Sequence, residues 1–357
     1  MKKLIAMLLI AVMVMSFAAC GYINKTEVAI LWAGDGIVKV PSSLSNAMER
    51  AMYIESIQYK HYGANGDQAV QTQQALDALN AGCSGLVVEL VDATAAQTIV
   101  DAAKEKGVPV VLLSSSVDAA VVNSYDKCIS VDTDAASLPK VQGDQIFRAL
   151  VDEKKGEYLK GIDRNGDGKI SYFAIGEVAA TVEVINAKLA EKSLPALEAV
   201  TGKLNTIIGQ FREDSAPVEL IITTDDADAM ELLMMLQAKG YNKDRLSTHC
   251  IPVFTVGDKA DYKVHVLAGK PEGAHTDDHV QEYYKMQQYL VDLRTIEESH
   301  LEEMIYTTAS VIGDGRLAGT VVENYDELAV QTASVLAKLL TGKAVDNRFI
   351  TIEFTVI

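Results

Sequence analysis

The chain has 357 residues, with 49 acidic against 32 basic side chains and a formal net charge of −17. That balance argues against nucleic acid and against anionic membrane surfaces as partners, and the length calls for two lobes rather than one small core. Cys83, Cys128 and Cys250 are widely spaced beside apolar segments. They read as buried small residues, not as a disulfide framework or a zinc site.

Met1-Lys2-Lys3 followed by Leu4 to Phe17 has the charged and apolar regions of a signal peptide. Ser16-Phe17-Ala18-Ala19-Cys20 then resembles a bacterial lipobox, in which Cys20 is lipidated and becomes the mature N-terminus. The apolar run is short for a membrane span, and no basic stop-transfer cluster follows it. An extracytoplasmic body held to the cell membrane only through a lipid on Cys20 is expected. Loss of residues 1–19 removes Lys2 and Lys3 and makes the mature chain more acidic still.

From Val28 onward strands and helices alternate. Val28–Trp32, Ile57–His61, Gly85–Leu90 and Pro109–Leu113 read as strands, with helices over Ser42–Tyr53, Gln68–Ala81 and Ala93–Lys106. The strands are nearly continuous apolar runs, which predicts a parallel sheet covered on both faces. A second series follows, with helices Ser137–Glu153, Ala179–Lys192 and Ala227–Lys239 and strands Ile170–Ile175, Val218–Thr224 and Ile251–Val256. Gly319–Val322, a helix over Asp326–Leu340 and a terminal strand Phe349–Ile357 close the chain. The expected fold class is α/β, with two doubly wound Rossmann-like lobes. In open sheets of this kind ligands bind outside the carboxyl ends of the strands, and two such ends would face each other across a cleft that closes about a hinge.

Asp163-Arg164-Asn165-Gly166-Asp167-Gly168-Lys169-Ile170-Ser171 places oxygen side chains at positions 1, 3, 5 and 9 of a calcium loop of EF-hand type, with glycine at position 6 and the Lys169 carbonyl at position 7. Position 12, normally a bidentate Glu, is Ala174, and the residues after the loop read as a strand. A calcium loop of this form must borrow its closing carboxylate from elsewhere. The alternative is a solvated Asp/Gly turn.

Leu90-Val91-Asp92, Gly107-Val-Pro-Val-Val111, Ser124-Tyr125-Asp126-Lys127, Gln142-Gly143-Asp144, Gly176-Glu177, Val218-Glu219-Leu-Ile-Ile222, Ile251-Pro-Val-Phe254 and Ala318-Gly-Thr-Val321, in this order and around the metal loop, resemble the periplasmic galactose/glucose-binding protein family. The resemblance covers nearly all of the mature region. It implies a type I periplasmic binding protein with a three-crossing hinge, delivering a small polar ligand to ABC permease subunits. It also implies that Glu219 is the borrowed calcium ligand. On this scheme residues 27–132 plus 323–346 form lobe one, and 133–322 plus 347–357 form lobe two.

The sugar pocket departs from the family. Its His-x-Asp-x-x-x-Arg grip falls on Ala180, Val182 and Asn186, and its aromatic near the first strand is displaced, leaving Trp32, Asp35 and Ile37. The matching ligand positions are Asp35, Ser114, Asp225, Asp258 (or Gly257 before it) and Glu323, with Asp226 beside Asp225. The competing reading makes these acids ordinary strand-end residues.

An acidic insertion over about 259–312 carries Asp277, Asp278, Glu282, Glu297, Glu298, Glu302 and Glu303 among apolar residues, and predicts one or two amphipathic helices that could form a partner surface. His275 and His279 have helical metal-ligand spacing but no third ligand, and read as solvated. Met230 to Met235 reads as core packing. No nucleophile elbow or phosphate loop is present, and Ser114–Ser116 has no nearby base, so an enzyme is not expected. A solute receptor is the leading expectation. The alternative is a lipid-anchored sensor or regulatory partner that has lost transport.

Overall fold

A computed structural model describes residues 27–34, 44–113, 117–152, 157–158, 163, 166, 168–212, 215–243, 249–257, 261–267, 301–313 and 315–357. The chain forms two units. Unit 1 holds the residues up to Asp134 together with Asn324–Ile352, and unit 2 holds Ala135–Glu323 together with Glu353–Ile357. The chain therefore passes from one unit to the other three times.

Unit 1 begins with β1 (Val28–Trp32), α1 (Leu44–Ile54), β2 (Tyr59–Gly63), α2 (Gln68–Asn80), β3 (Gly85–Glu89), α3 (Ala96–Lys106), β4 (Val110–Leu113), α4 (Ala119–Asn123) and β5 (Cys128–Thr133). In unit 2 come α5 (Leu138–Leu150), the short β6 (Val151–Asp152) and β7 (Glu157–Tyr158), β8 (Ser171–Ile175), α6 (Ala179–Glu191), β9 (Glu198–Ala199), α7 (Leu204–Gly209), β10 (Leu220–Thr223), α8 (Asp226–Ala238) and β11 (Val253–Val256). After these stand β12 (Asp261–Leu267), β13 (Leu301–Thr307), α9 (Thr308–Gly313) and β14 (Gly319–Val322). The chain then returns to unit 1 with α10 (Tyr325–Leu340) and β15 (Phe349–Ile352), and ends in unit 2 with β16 (Thr355–Val356).

The unit 1 sheet has the order β15-β5-β4-β3-β1-β2, and every pairing is parallel. Side chains alternate across a strand, so Val28, Ile30 and Trp32 face one core with Met48 and Met52 of α1 and Leu336 of α10. Ala29 and Leu31 face the other, with Ile99 and Val100 of α3. The unit 2 sheet, β16-β14-β11-β10-β8-β9, is parallel except for β16 against β14. Ile221 packs into one of its cores, with Met230 and Leu233 of α8. Leu220 and Ile222 pack into the opposite one, with Ile185 of α6 and Ile146 of α5. Gly143 lets α5 and α6 approach closely, since a Cβ there would stand 2.7 Å from Val184 Cγ1.

Several expectations change. The third crossing lies after Ile352 rather than at Asp346, because β15 continues the unit 1 sheet (Phe349 opposite Ser130) before β16 joins β14. The expected single strand Phe349–Ile357 is thus two strands in two sheets. Cys128–Thr133 adds a fifth strand after β4 that the alternation did not mark. Within the insertion, 261–267 and 301–307 are strands, not helices: β12 and β13 pair antiparallel, Glu302 and Glu303 fall within β13, and among the described residues only the short α9 is helical at its end. Its centre, with Asp277, Asp278, Glu282, Glu297, Glu298, His275 and His279, lies outside the described residues. Met230 is buried as expected, but Met234 is exposed.

Candidate functional site

In the calcium-type loop of unit 2, Asp163, Lys169 and Ser171 are described, whereas Asn165 and Asp167 lie outside the described residues. The Asp163 carboxylate accepts the Gly166 amide on Oδ1 at 2.6 Å and the Gly168 amide on Oδ2 at 2.8 Å. Both glycines have positive φ, +69° and +79°, a conformation that costs glycine nothing. Two described amides of the loop thus turn toward its first carboxylate. Lys169 sends its ammonium to Glu198 Oε1.

Glu219 stands directly before β10, and the register of β10 against β8 (Leu220 opposite Tyr172) sets it opposite Ser171. It is only 2% exposed. Its Oε2 accepts the Ser171 amide at 3.0 Å and the Ser171 hydroxyl at 3.3 Å. Two residues 48 apart in sequence, both expected as ligands, are therefore brought together. Carboxylate, hydroxyl and carbonyl oxygens are the donor types a hard cation takes, and Glu219 sets a buried carboxylate beside Ser171, the loop's ninth position. Among the described residues no three His, Cys, Asp or Glu side chains converge on one point.

The strand ends of unit 2 explain the altered pocket. Val182 is buried in the core with Ile185 and Leu189. Asn186 spends its Oδ1 on the Leu197 amide at 2.9 Å, and Ala180 is exposed in the first turn of α6. Asp225 caps α8, accepting the Ala227 and Asp228 amides at 2.9 and 3.2 Å. Asp226 is buried beneath Gly257 (φ +104°), where a Cβ would come within 2.8 Å of its Oδ1. Glu323 is half-buried at the end of β14. Asp35, Ser114 and Asp258 lie outside the described residues, as do Ile37 and Cys20.

Beneath these ends runs a buried polar network that the motifs did not mark. Gln142 Nε2 donates to the Thr223 carbonyl at 3.1 Å, and Thr181 Oγ1 donates to Gln142 Oε1 at 3.0 Å. Thr223 and Thr255 join hydroxyls at 2.7 Å, and Thr320 Oγ1 donates to the Gly257 carbonyl at 2.7 Å. The threonines in three neighbouring strands were the available signal. Such networks rigidify the backbone around them.

In unit 1, Trp32 is buried in the core, so its ring is not a stacking platform. Its Nε1 donates to His61 Nδ1 at 2.9 Å, which puts the imidazole proton on Nε2, 3.2 Å from Glu49 Oε1. The loops after β1 and β3 are pinned through Glu89, whose Oε2 accepts the Ala33 amide at 3.1 Å, and through buried Gln71, which bonds the Glu89 carbonyl and the Val91 amide. Asp92 caps the helical turn at Ala93–Ala95.

Two mainly parallel sheets, each wrapped by helices and linked by three chain crossings, define the fold of type I periplasmic binding proteins. The chain belongs to the family described as periplasmic binding protein domain, whose model matches residues 42–295. It is 27% identical over 190 residues to the D-galactose/methyl-galactoside binding periplasmic protein MglB of Haemophilus influenzae, an alignment covering 48% of this chain and 55% of that protein. The chain thus spans about half the length of that curated relative. A solute binding protein of an ABC transporter from Actinobacillus succinogenes, solved with D-allose, is 11% identical with a TM-score of 0.52, covering 93% of this chain and 97% of that one. The arabinose ABC transporter's binding protein from Shewanella sp. ANA-3 is 14% identical with a TM-score of 0.50, covering 93% and 91%. At these identities the structures establish the fold alone. Among the described residues no helix is long and apolar enough to cross a membrane.

Proposed function

We propose that this chain is the extracytoplasmic, Cys20-lipidated solute receptor of an ABC transporter, not an enzyme, and that it binds a sugar or related small polar ligand at the strand carboxyl ends. Membership of the periplasmic binding protein family carries the reading. Rigid strand ends over the Gln142–Thr181–Thr223 network, with glycine backbone at Gly176 and Gly257, are suited to presenting main-chain and carboxylate groups to such a ligand. The candidate ligand residues remain Asp35, Ser114, Asp225, Asp258 and Glu323, with Asp226, buried, beside Asp225.

Calcium is proposed at Asp163, Asn165, Asp167, the Lys169 carbonyl, Ser171 and Glu219. A bound cation would offset the carboxylates there and stabilise the folded state by mass action. Asp163 accepts two amides of the loop, and Glu219 ties the loop's end to β10.

The test is thermal melting of the calcium-loaded protein against monosaccharides, methyl glycosides, polyols and nucleosides. A ligand at a hundred times its dissociation constant adds about 2.7 kcal/mol. A shift with one chemical class supports the receptor reading. No shift with any class, in protein still stabilised by calcium, overturns it in favour of a sensor or regulatory partner. The commitment of Val182 and Asn186 to structure is the observation that favours that second reading.

A further inference from the structure

Helix α1 ends with two large apolar side chains in water. Tyr53 is 84% exposed and Ile54 72%, while Met48 and Met52 of the same helix are fully buried. The pair is held in place and not on a free loop: Ser56 turns the chain at φ +56°, and the Ile57 amide bonds back to the Met52 carbonyl at 2.9 Å. Ser56, Ile57 and Gln58 join Tyr53 and Ile54 around an open concavity of about 510 Å³. At its edge the Gln58 carbonyl accepts the Val28 amide at 2.8 Å. This corner therefore adjoins the point where the chain arriving from Cys20 enters β1.

From Cys20 to Glu27 the chain can reach roughly 25 Å when fully extended. A lipid on Cys20 would keep this edge of unit 1 within that reach of a bilayer. We propose that the Tyr53–Ile54 corner rests in the headgroup layer of that bilayer and sets which edge of unit 1 faces the membrane. The inference rests on the acylation proposed above. The partner's chemistry follows from the residues. Tyrosine carries an apolar ring with a polar tip, suited to the water–lipid boundary, and isoleucine adds apolar burial. The acidic chain favours a zwitterionic surface over an anionic one.

The test uses the full chain, acylated in a bacterial host and reconstituted into phosphatidylcholine vesicles whose acyl chains carry bromine. Trp32 is the sole tryptophan and is 4% exposed in the core, so the parent reports no lipid contact. Ile54→Trp adds an exposed reporter at the corner. About a twofold loss of its emission in brominated vesicles, with none in the parent, is expected for a ring roughly 5–10 Å into the headgroup boundary. If the acylated chain floats with the vesicles and Ile54→Trp is not quenched, the corner is covered by residues 21–26 or a second copy, or faces water, and the proposal is wrong while the anchor stands. If the parent does not float, or Cys20→Ala floats equally well, the anchor reading fails and the proposal falls with it.

Discussion

Glu219 is the residue on which the metal proposal can be broken most cleanly. The sequence alone suggests that its carboxylate matters only with calcium bound, but the structure gives it a second task. Its Oε2 is the acceptor of the Ser171 amide and hydroxyl at the start of β8. Glu219→Ala therefore leaves a half-buried amide without that partner, at about 1–3 kcal/mol even in chelator. In a unit of this size each kcal/mol moves the melting temperature by about 2–4 °C. Glu219→Gln keeps a carbonyl oxygen for Ser171 and should cost less than about 1 kcal/mol in chelator. Both variants lose the charged oxygen pair proposed to close the calcium loop. A tenfold weaker site would remove about 1.4 kcal/mol of the calcium increment at a fixed calcium concentration well above the dissociation constant. The assay is calorimetric melting of parent, Glu219→Gln and Glu219→Ala, each with calcium and with chelator. The quantity read is the increment calcium adds to each. An undiminished increment in Glu219→Gln would refute Glu219 as a calcium ligand. Equal melting of Glu219→Ala and parent in chelator would refute the Ser171 contact.

Asp225→Ala removes the cap of α8 and should cost about 1 kcal/mol in urea unfolding; if a ligand-induced melting shift disappears as well, Asp225 serves the ligand in addition to the helix. Gly176→Ala should cost about 2–4 kcal/mol, because the position has φ +88° and its Cβ would lie 1.9 Å from Thr224 Oγ1; parent-like unfolding would contradict the packing. Burial pushes the Cys128 thiol up from an ordinary 9.0 to about 12, with the Arg348 guanidinium opposing it, and the Cys83 thiol to about 11. Both should resist alkylation in the folded protein at pH 8. Since unfolded thiols lose their protons near pH 9 while these keep theirs, stability should fall as pH rises above about 9. Alkylation at pH 8 as fast as in urea would overturn that reading.

The strands of both sheets were legible because they are buried on two faces and read as apolar runs: β1 and β14 fall on the expected residues, and β3, β4, β8 and β10 within a residue or two. β5 was obscured. Cys128-Ile-Ser-Val-Asp-Thr133 mixes polar residues into a strand whose second neighbour, β15, comes from the far end of the chain. The division of Phe349–Ile357 was hidden for a related reason. Period-two patterning places side chains on faces but does not say which sheet a strand joins. In the calcium-type loop, Ala174 at position 12 led to the expectation of a distant carboxylate, and the β8–β10 register sets Glu219 beside Ser171, a pairing that local sequence lacks. Capping gave the opposite result. Asp225, read as a ligand residue, also caps α8 through its Oδ1, as Asp67, Asp92 and Asp118 cap the turns they begin.

That recurrence bears on what unit 2 can offer a ligand. Acids after parallel strands are drawn there by the orphan amides of the following helix, so their number does not measure a binding site. Asp226 is different. Asp225 already holds the α8 amides, and Asp226 is buried against the backbone of Gly257. Burying a carboxylate is costly unless specific partners offset it, and glycine at 257 leaves room for that close approach. On α6 no such polar group can be recovered by a rotamer change: Val182 belongs to the core, and Asn186 holds the turn at Leu197. On the proposed receptor reading, the polar groups that unit 2 would offer a ligand are those of the strand ends, around Gly176, Thr224, Asp226 and Gly257. A site made there from backbone and carboxylate groups would select hydroxyl-rich or cationic ligands over anionic ones.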